Sequence, residues 1–282
     1  MSPVDTEKQE GPSARTISAL VDDAAERFAA VGIDTPREDA EAIVADSLGV
    51  APKELSADSA DDVSAEVAED VENKVKRRLE RDPLAYVLGR APFRNLEVAV
   101  DERVLWPRQE TELLVEIAVA KLPQGARVHE VGTGSGAIAL ALMSERPDLV
   151  ITASDLSPEA AEAARENAER LGMDLDVRVA RGYPDDLGEV DMVIANLPYV
   201  TDDTIFERSP EIQHEPRIAV TADCGEDGLG VIRGLIAETP SGTLMVMEHD
   251  THHGPAMQEL LNEAETLRDY EGNERASVGK AP

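Results

Sequence analysis

The sequence predicts an α/β protein in which a sheet of parallel strands follows a small helical bundle. From residue 128 onward, strand-like and helix-like segments alternate, which indicates parallel strands joined by right-handed crossovers. A glycine-rich turn at residues 132–136 separates the first of these strands from its helix. Before residue 82, apolar residues recur at helical spacing. The length of 282 residues fits a catalytic domain with a small accessory domain.

Three amphipathic helices are predicted in the N-terminal part of the chain. They span residues 17–32, 35–49 and 64–79. Pro36 is typical of a first helical position, and Gly32 and Gly49 are typical of helix ends. We predict a disordered tail over residues 1–12 and a helical domain over residues 13–82. A scaffold and a substrate-docking domain share this pattern, and docking is our hypothesis for its role.

The next segment changes period and predicts strands. Residues 94–105 alternate in polarity, which indicates a strand pair that turns near Asp101-Glu102. We therefore predict a β-hairpin linker over residues 83–108 and a catalytic domain over residues 109–282. The remaining predicted strands are 128–131, 150–155, 176–180, 191–196, 243–249, 265–271 and 275–280, and the predicted helices are 110–122, 137–143 and 158–172. The last two strands are separated by the turn-like pair Gly272-Asn273.

Composition limits the classes of partner. The chain has 58 Asp and Glu against 27 Lys and Arg, which gives a net charge of −31 at pH 7. Such a surface repels phosphate backbones, so duplex DNA or RNA is a disfavoured substrate. No apolar run approaches the roughly 20 residues of a membrane span, and the N-terminus lacks the apolar stretch of a signal peptide. With Cys224 as its single cysteine, the protein is expected in the reducing cytoplasm.

The acidic surface also predicts a salt-adapted, halophilic protein. High salt shortens the screening length to a few ångström and suppresses the self-repulsion of a strongly charged fold. We expect the melting temperature to rise from low to molar salt in a series of thermal melts. Stability that is flat across the series would contradict this hypothesis.

A glycine-rich loop follows the first strand of the predicted sheet. The segment contains Glu130, Gly132, Thr133, Gly134 and Gly136. Glycines here let the backbone turn sharply and allow a ligand to lie against bare main chain. Asp155 ends the next strand, where a carboxylate can accept both hydroxyls of a ribose. Gly132, Gly134 and Ala137 also satisfy the dinucleotide-binding pattern, so the loop alone leaves a nicotinamide or flavin site open.

The tetrapeptide Asn196-Leu197-Pro198-Tyr199 directly follows another predicted strand. An amide nitrogen is a poor nucleophile because its lone pair is delocalised, so an enzyme that methylates it must hold both N–H groups and direct the lone pair. The Asn196 side-chain oxygen and the Leu197 carbonyl can accept these two N–H groups, Pro198 restricts the backbone, and Tyr199 can cover the amide face. The pattern predicts direct methyl transfer to nitrogen, in which positioning supplies most of the acceleration.

Several separated segments resemble the bacterial release-factor glutamine methyltransferases, the HemK-like family. They lie between about Pro83 and Gly279 and include PLAYVLGRAPFRNLEVAVDERVLWPRQETELLVE, EVGTGSGAIALAL, ANLPYV and RDYEGNERASVGK. The resemblance implies a seven-stranded, Rossmann-like methyltransferase sheet whose last strands form an antiparallel pair. It also implies S-adenosylmethionine as the cofactor and class 1 peptide-chain release factors as the partner, methylated on the glutamine of a Gly-Gly-Gln motif.

The resemblance makes residues 109–282 an S-adenosylmethionine-dependent methyltransferase domain. The predicted donor-binding residues are Glu130, Gly132, Thr133, Gly134, Gly136, Asp155, Tyr183 and Asn196, and the predicted catalytic residues are Asn196, Leu197, Pro198 and Tyr199. We expect no metal, because His249, His252 and His253 lack partners at metal-ligand spacing. We also expect a monomer that contacts neither nucleic acid directly nor a membrane.

Three positions depart from the family pattern. Leu197 replaces the first proline of the family's Asn-Pro-Pro-Tyr motif. Gln109 replaces the second proline of the family's Pro-Arg-Pro-Glu-Thr-Glu motif. Asn-Leu-Pro-Tyr also occurs in adenine dimethyltransferases of ribosomal RNA, so adenine methylation of nucleic acid stays open, as does glutamine methylation of a ribosomal protein. Gly182-Tyr183 replaces an acid followed by an aromatic residue. Tyr183 can stack on adenine, but the acid that would accept the adenine amino group is missing. A third hypothesis is therefore a binding protein that keeps the fold but has lost turnover.

Overall fold

A computed structural model describes residues 15–221 and 224–282 of the chain, which divides into two compact units, Met1–Leu88 and Gly89–Pro282. The tail predicted over residues 1–12 lies outside the described residues. In the described ranges, no helix combines the length and the apolar character that crossing a membrane requires.

The first unit is a bundle of helices, as predicted. It contains α1 (Ile17–Ala30), α2 (Pro36–Leu48), α3 (Ala65–Leu79) and α4 (Leu84–Leu88). The hydroxyl oxygens of Thr16 and Ser64 accept backbone N–H groups in the first turns of α1 and α3, and Gly49 ends α2 in the left-handed conformation. Buried apolar side chains, among them Phe28 and Ile43, form its core. The short α4 was not predicted, because five residues after a proline carry no readable helical period.

A β-hairpin begins the second unit, but its turn lies earlier than predicted. Strands β1 (Arg90–Phe93) and β2 (Leu96–Ala99) pair antiparallel, with Phe93 opposite Leu96. The turn is therefore Arg94-Asn95, and the prediction of a turn near Asp101-Glu102 was wrong. Arg94 adopts φ +54°, and its backbone N–H donates to a Glu112 carboxylate oxygen at 2.8 Å. A long-range partner thus stabilises a turn that lacks the usual glycine.

The rest of the second unit is built on the expected seven-stranded sheet, in the order β5-β4-β3-β6-β7-β9-β8. Its strands are β3 (Arg127–Val131), β4 (Val150–Asp155), β5 (Asp176–Val179), β6 (Met192–Ala195), β7 (Leu244–Glu248), β8 (Asn262–Arg268) and β9 (Glu274–Lys280). The first five strands are parallel, and β9 pairs antiparallel with both β7 and β8. All four residues of β6 are buried, as the continuous apolar pattern of a parallel strand indicates.

The helices of this unit are α5 (Glu112–Lys121), α6 (Ala137–Glu145), α7 (Pro158–Arg170), α8 (Arg217–Val220), α9 (Gly230–Glu238) and α10 (Gly254–Leu260). The last three were not predicted, since two are short and α9 follows a loop that carries no helix-start signal. Chain order reverses between β3 and β6, because β4 and β5 continue on one side and β6 and β7 on the other. Ligands of such sheets bind at the carboxyl ends of the strands beside this switch point.

Candidate active site

A cavity of about 240 Å³ opens at the switch point of the sheet. Its wall includes the loops that follow four parallel strands and one face of α9. The lining from these loops comprises residues 132–135 after β3, 155–157 after β4, 180–182 after β5 and 196–198 after β6. The sequence prediction of a ligand site at the strand ends therefore agrees with where the cavity lies.

The glycine-rich loop presents bare backbone to this cavity. Gly132, Gly134 and Gly136 have φ values of +73°, +54° and +82°, the left-handed region that favours glycine. A Cβ atom on Gly132 would lie 2.8 Å from the Leu197 side chain, so only glycine lets these two residues approach so closely. A Cβ atom on Gly134 would meet nothing within 4 Å and would fill open space instead. The loop thus has the shape of a cradle for a ligand.

Asp155 lies at the end of β4 and fastens this loop. One carboxylate oxygen accepts the Gly134 N–H at 2.9 Å, and the other accepts the Ser157 N–H at 2.9 Å. Burial raises the pKa of the Asp155 carboxyl above its usual range. Each oxygen keeps a further lone pair, so the carboxylate is able to accept two hydroxyl groups from the cavity side.

Glu130 anchors the same loop from beneath. Its Oε2 accepts the Thr133 hydroxyl at 2.7 Å and the Ala139 N–H, in the first turn of α6, at 3.0 Å. The side chain is buried and borders the cavity. Burial raises the pKa of Glu130 to about 8.

We expect binding of S-adenosylmethionine, the donor that the sequence predicts, to release a proton from Glu130. A cationic ligand in the cavity favours the charged carboxylate, so binding lowers the pKa of Glu130 from about 8. The affinity for S-adenosylmethionine therefore rises with pH up to about 8 and levels off above it. Calorimetry at pH 7 in buffers of different ionisation enthalpy measures the proton count. The Glu130→Gln variant should show a smaller release, and equal release from both proteins would contradict this linkage.

Asn196 is oriented by a hydrogen bond to the segment before α5. The Asn196 Nδ2 group donates to the Thr111 hydroxyl oxygen at 3.0 Å. In this pair the asparagine amide is the donor and the Thr111 hydroxyl oxygen is the acceptor. Thr111 lies near the buried carboxylate of Glu248, whose pKa is raised by burial and whose Oε2 has no hydrogen-bond partner among the described residues. The amide nitrogen of Asn196 thus faces Thr111, and its oxygen stays available as an acceptor.

We expect Thr111 to act as a positioning residue for Asn196, and its removal should lower turnover. We expect the Thr111→Val variant to lose about tenfold in kcat, the cost of a lost hydrogen bond of about 1.4 kcal/mol in the transition state. Donor Kd should stay unchanged, because Asn196 rotates without disturbing the glycine loop. The Thr111→Ser variant keeps the hydroxyl and should recover kcat. A Thr111→Ser variant as slow as Thr111→Val would refute this role.

Leu197 and Pro198 also line the cavity. The Leu197 side chain is buried against Gly132 in the core cluster of α9 and β6. Its carbonyl oxygen receives no hydrogen bond from residues 15–221 or 224–282.

The two predicted aromatic residues lie outside the cavity wall in the described part of the chain. Tyr199 donates its hydroxyl to Glu248 Oε1 at 3.0 Å and lines a neighbouring cavity with His252 and His253. Tyr183 donates its hydroxyl to the Gly188 carbonyl. Each hydroxyl therefore has a partner that is not part of the glycine-rich loop. Among the described residues, no group of three metal-ligating side chains is placed to bind an ion.

Asn167 supports the site and was missed from the sequence. This buried residue of α7 accepts the Ala99 N–H at 2.7 Å and donates to the Ala99 and Ser135 carbonyls, each at 2.9 Å. It thereby joins the hairpin strand β2 to the glycine-rich loop. An asparagine on the alanine-rich buried face of a predicted helix was the only available signal.

Two parts of the chain match known family models, and the chain has curated relatives. Residues 19–89 match the family model of the PrmC N-terminal domain, and residues 109–211 match that of the methyltransferase small domain. The release factor glutamine methyltransferase of Neisseria gonorrhoeae is 35% identical over 76% of this chain and 82% of that protein. The corresponding protein of Xylella fastidiosa is 36% identical over 87% of this chain and 94% of that protein.

A solved structure supports the fold. The catalytic domain of hMettl16, in complex with MAT2A 3′UTR hairpin 6, aligns with a TM-score of 0.50 at 14% identity over 73% of this chain and 80% of that chain. At this low identity the structural match supports the fold alone. The family is identified by the relatives found from sequence. The protein is a methyltransferase and belongs to the family of release factor glutamine methyltransferases.

Proposed function

We propose that this enzyme transfers a methyl group from S-adenosylmethionine to the side-chain amide nitrogen, N5, of the glutamine in the Gly-Gly-Gln motif of class 1 peptide-chain release factors. Relatives named release factor glutamine methyltransferase support the substrate class. The observation that carries the chemistry is the oriented amide of Asn196 at the cavity, beside the bare glycine loop.

The cavity fits the donor in shape and in chemistry. The open backbone at Gly134 accommodates a close ligand, and the Asp155 carboxylate matches the two hydroxyls of a ribose. We assign Gly132, Thr133, Gly134 and Asp155 to donor binding, with Glu130 and Gly136 shaping the loop. When bound, the donor supplies a methyl group already activated on a sulfonium.

The protein's task is then to present a weak nucleophile. The Asn196 side-chain oxygen and the Leu197 carbonyl hold the two N–H groups of the substrate carboxamide, while Pro198 restricts the backbone between them and Tyr199. The lone pair is thereby directed at the methyl carbon, whose bond to sulfur breaks as the bond to nitrogen forms. The nitrogen loses one proton after transfer, to water or to a carbonyl, and S-adenosylhomocysteine leaves. Positioning and desolvation lower the barrier.

The proposal also covers the role of the N-terminal helices, the oligomeric state and the cellular location of the enzyme. We assign the helical unit, residues 13–82, to docking of the release factor, in line with its match to the PrmC N-terminal domain. The net charge of −31 disfavours direct contact with nucleic acid. We propose a monomer that acts in the cytoplasm, where release factors function, and in a salt-rich interior.

Mass spectrometry of release factors from cells with and without the gene tests this function. We expect the mass increment of one methyl on the Gly-Gly-Gln glutamine to disappear when the gene is deleted. An increment that persists would contradict the proposal. Loss of a methyl from a ribosomal-protein glutamine or from a nucleic-acid adenine instead would support one of the other substrates.

A further inference from the structure

We infer that Glu238 recognises the adenine ring of the donor by accepting a hydrogen bond from its 6-amino group. The inference rests on the proposed function, because it concerns the same donor. Nothing in the sequence singled out this residue, which lies at the last position of α9, far along the chain from the glycine-rich loop.

The first observation concerns the side of α9 that lines the cavity. Gly230, Gly234 and Glu238 follow one another at intervals of four residues and all border the cavity. Residues at this spacing lie on one side of a helix. A Cβ atom on Gly234 would meet nothing within 4 Å, so the helix surface is bare there. A flat ring is able to lie along this surface, with the Glu238 carboxylate at its end.

The Glu238 carboxylate occupies the position that a side chain at residue 182 would take. This is the second observation. A Cβ atom on Gly182 would lie 1.8 Å from Glu238 Oε2 and 2.9 Å from its Cδ. The Tyr183 backbone N–H donates to the same Oε2 at 3.3 Å. Glu238 thus supplies from a helix the carboxylate that the loop after β5 lacks at Gly182.

Strand order indicates which part of the donor reaches this point. Asn196, beside which the methyl group must lie, follows β6, and Asp155, matched to the ribose, is the last residue of β4. The order β5-β4-β3-β6 places the loop after β5 on the far side of Asp155 from Asn196. A donor that extends from Asn196 through Asp155 therefore directs its base toward residues 180–182 and Glu238.

The chemistry of the base matches the group found there. The 6-amino group of adenine is a hydrogen-bond donor, whereas the corresponding group of hypoxanthine is a carbonyl acceptor. Glu238 Oε2 is held by the Tyr183 N–H, and Oε1 receives no hydrogen bond from the described residues. A carboxylate in this place accepts a hydrogen bond from the amino group of adenine and repels the carbonyl of hypoxanthine.

Calorimetry with S-adenosylhomocysteine and S-inosylhomocysteine tests the inference without turnover. We expect the unaltered protein to bind the adenosyl compound at least about tenfold tighter, as one charge-assisted hydrogen bond allows. Both Glu238→Ala and Glu238→Gln should reduce this preference by about tenfold, mainly through weaker adenosyl binding. The matched control is Glu259→Gln, which removes the same charge from an exposed position of α10 and should keep the preference.

A preference that is unchanged in both Glu238 variants would overturn the inference. Such a result would leave the proposed function intact, because methyl transfer to the release factor would continue with donor bound at Asp155. If the unaltered protein binds neither compound, the donor site itself is contradicted, and the inference falls with it. Thermal melts of all four proteins confirm that the variants are folded.

Discussion

Replacing Asn196 with alanine is expected to lower kcat by about a hundredfold or more while leaving the donor Kd within about twofold. In the proposed mechanism the Asn196 oxygen accepts one of the two N–H groups that direct the substrate lone pair, so its contact matters most in the transition state. Its Nδ2 group faces Thr111 rather than the glycine loop, so the donor site stays intact. Single-turnover rates with saturating release factor, together with calorimetry for the donor, measure the two quantities.

The matched control for this prediction is Asn95→Ala. Asn95 lies in the hairpin turn, and its side chain donates to the Ser144 hydroxyl at an exposed position. We expect this variant to keep full activity. A rate for Asn196→Ala within threefold of the unaltered enzyme would remove the asparagine from the catalytic site.

Replacing Asp155 with alanine is expected to weaken donor binding by about a hundredfold, the effect of losing two hydrogen bonds to a charged acceptor. The change also leaves the Gly134 and Ser157 N–H groups without their acceptor, which loosens the cradle. Turnover at saturating donor should recover most of its rate, because Asn196 and Leu197 are untouched. Calorimetry with S-adenosylhomocysteine gives the affinity, and rates over a donor series separate KM from kcat.

The control for Asp155 is Asp174→Ala, the same substitution at an exposed position before β5. Its donor affinity should equal that of the unaltered protein. If Asp155→Ala instead lowered kcat with no change in KM, Asp155 would belong to the chemical step and our division of roles would be wrong.

The sequence predicted the sheet because its signals are local. Apolar strands such as residues 192–195 are buried on both sides, and helices of clear period separate them. Each strand and helix can therefore be recognised from its own residues. Neither the position of the hairpin turn nor the helices after residue 200 gave such a signal. Arg94 turns the chain with a positive φ that depends on Glu112, and no local pattern encodes a partner 18 residues away.

The same distinction explains what could be predicted of the site. Glu130, the glycine loop, Asp155 and Asn196 each lie at or directly after the end of a strand, and the carboxyl ends of parallel strands meet at one edge. Thr111, Asn167 and Glu238 come from helices or from the segment before a helix, and they reach the site only through tertiary packing. The apparent loss of an acid at Gly182 shows this most clearly, because a carboxylate from α9 occupies that space.

Transfer of label from S-adenosylmethionine to a purified class 1 release factor, followed by peptide mapping, shows whether the enzyme methylates the Gly-Gly-Gln glutamine. The reaction is run at several salt concentrations. The control substrate is a release factor whose Gly-Gly-Gln glutamine is changed to alanine. We predict one methyl group per release factor, on the side-chain nitrogen of that glutamine, and none on the altered substrate. Label on any other residue, or equal label on both substrates, would contradict the account.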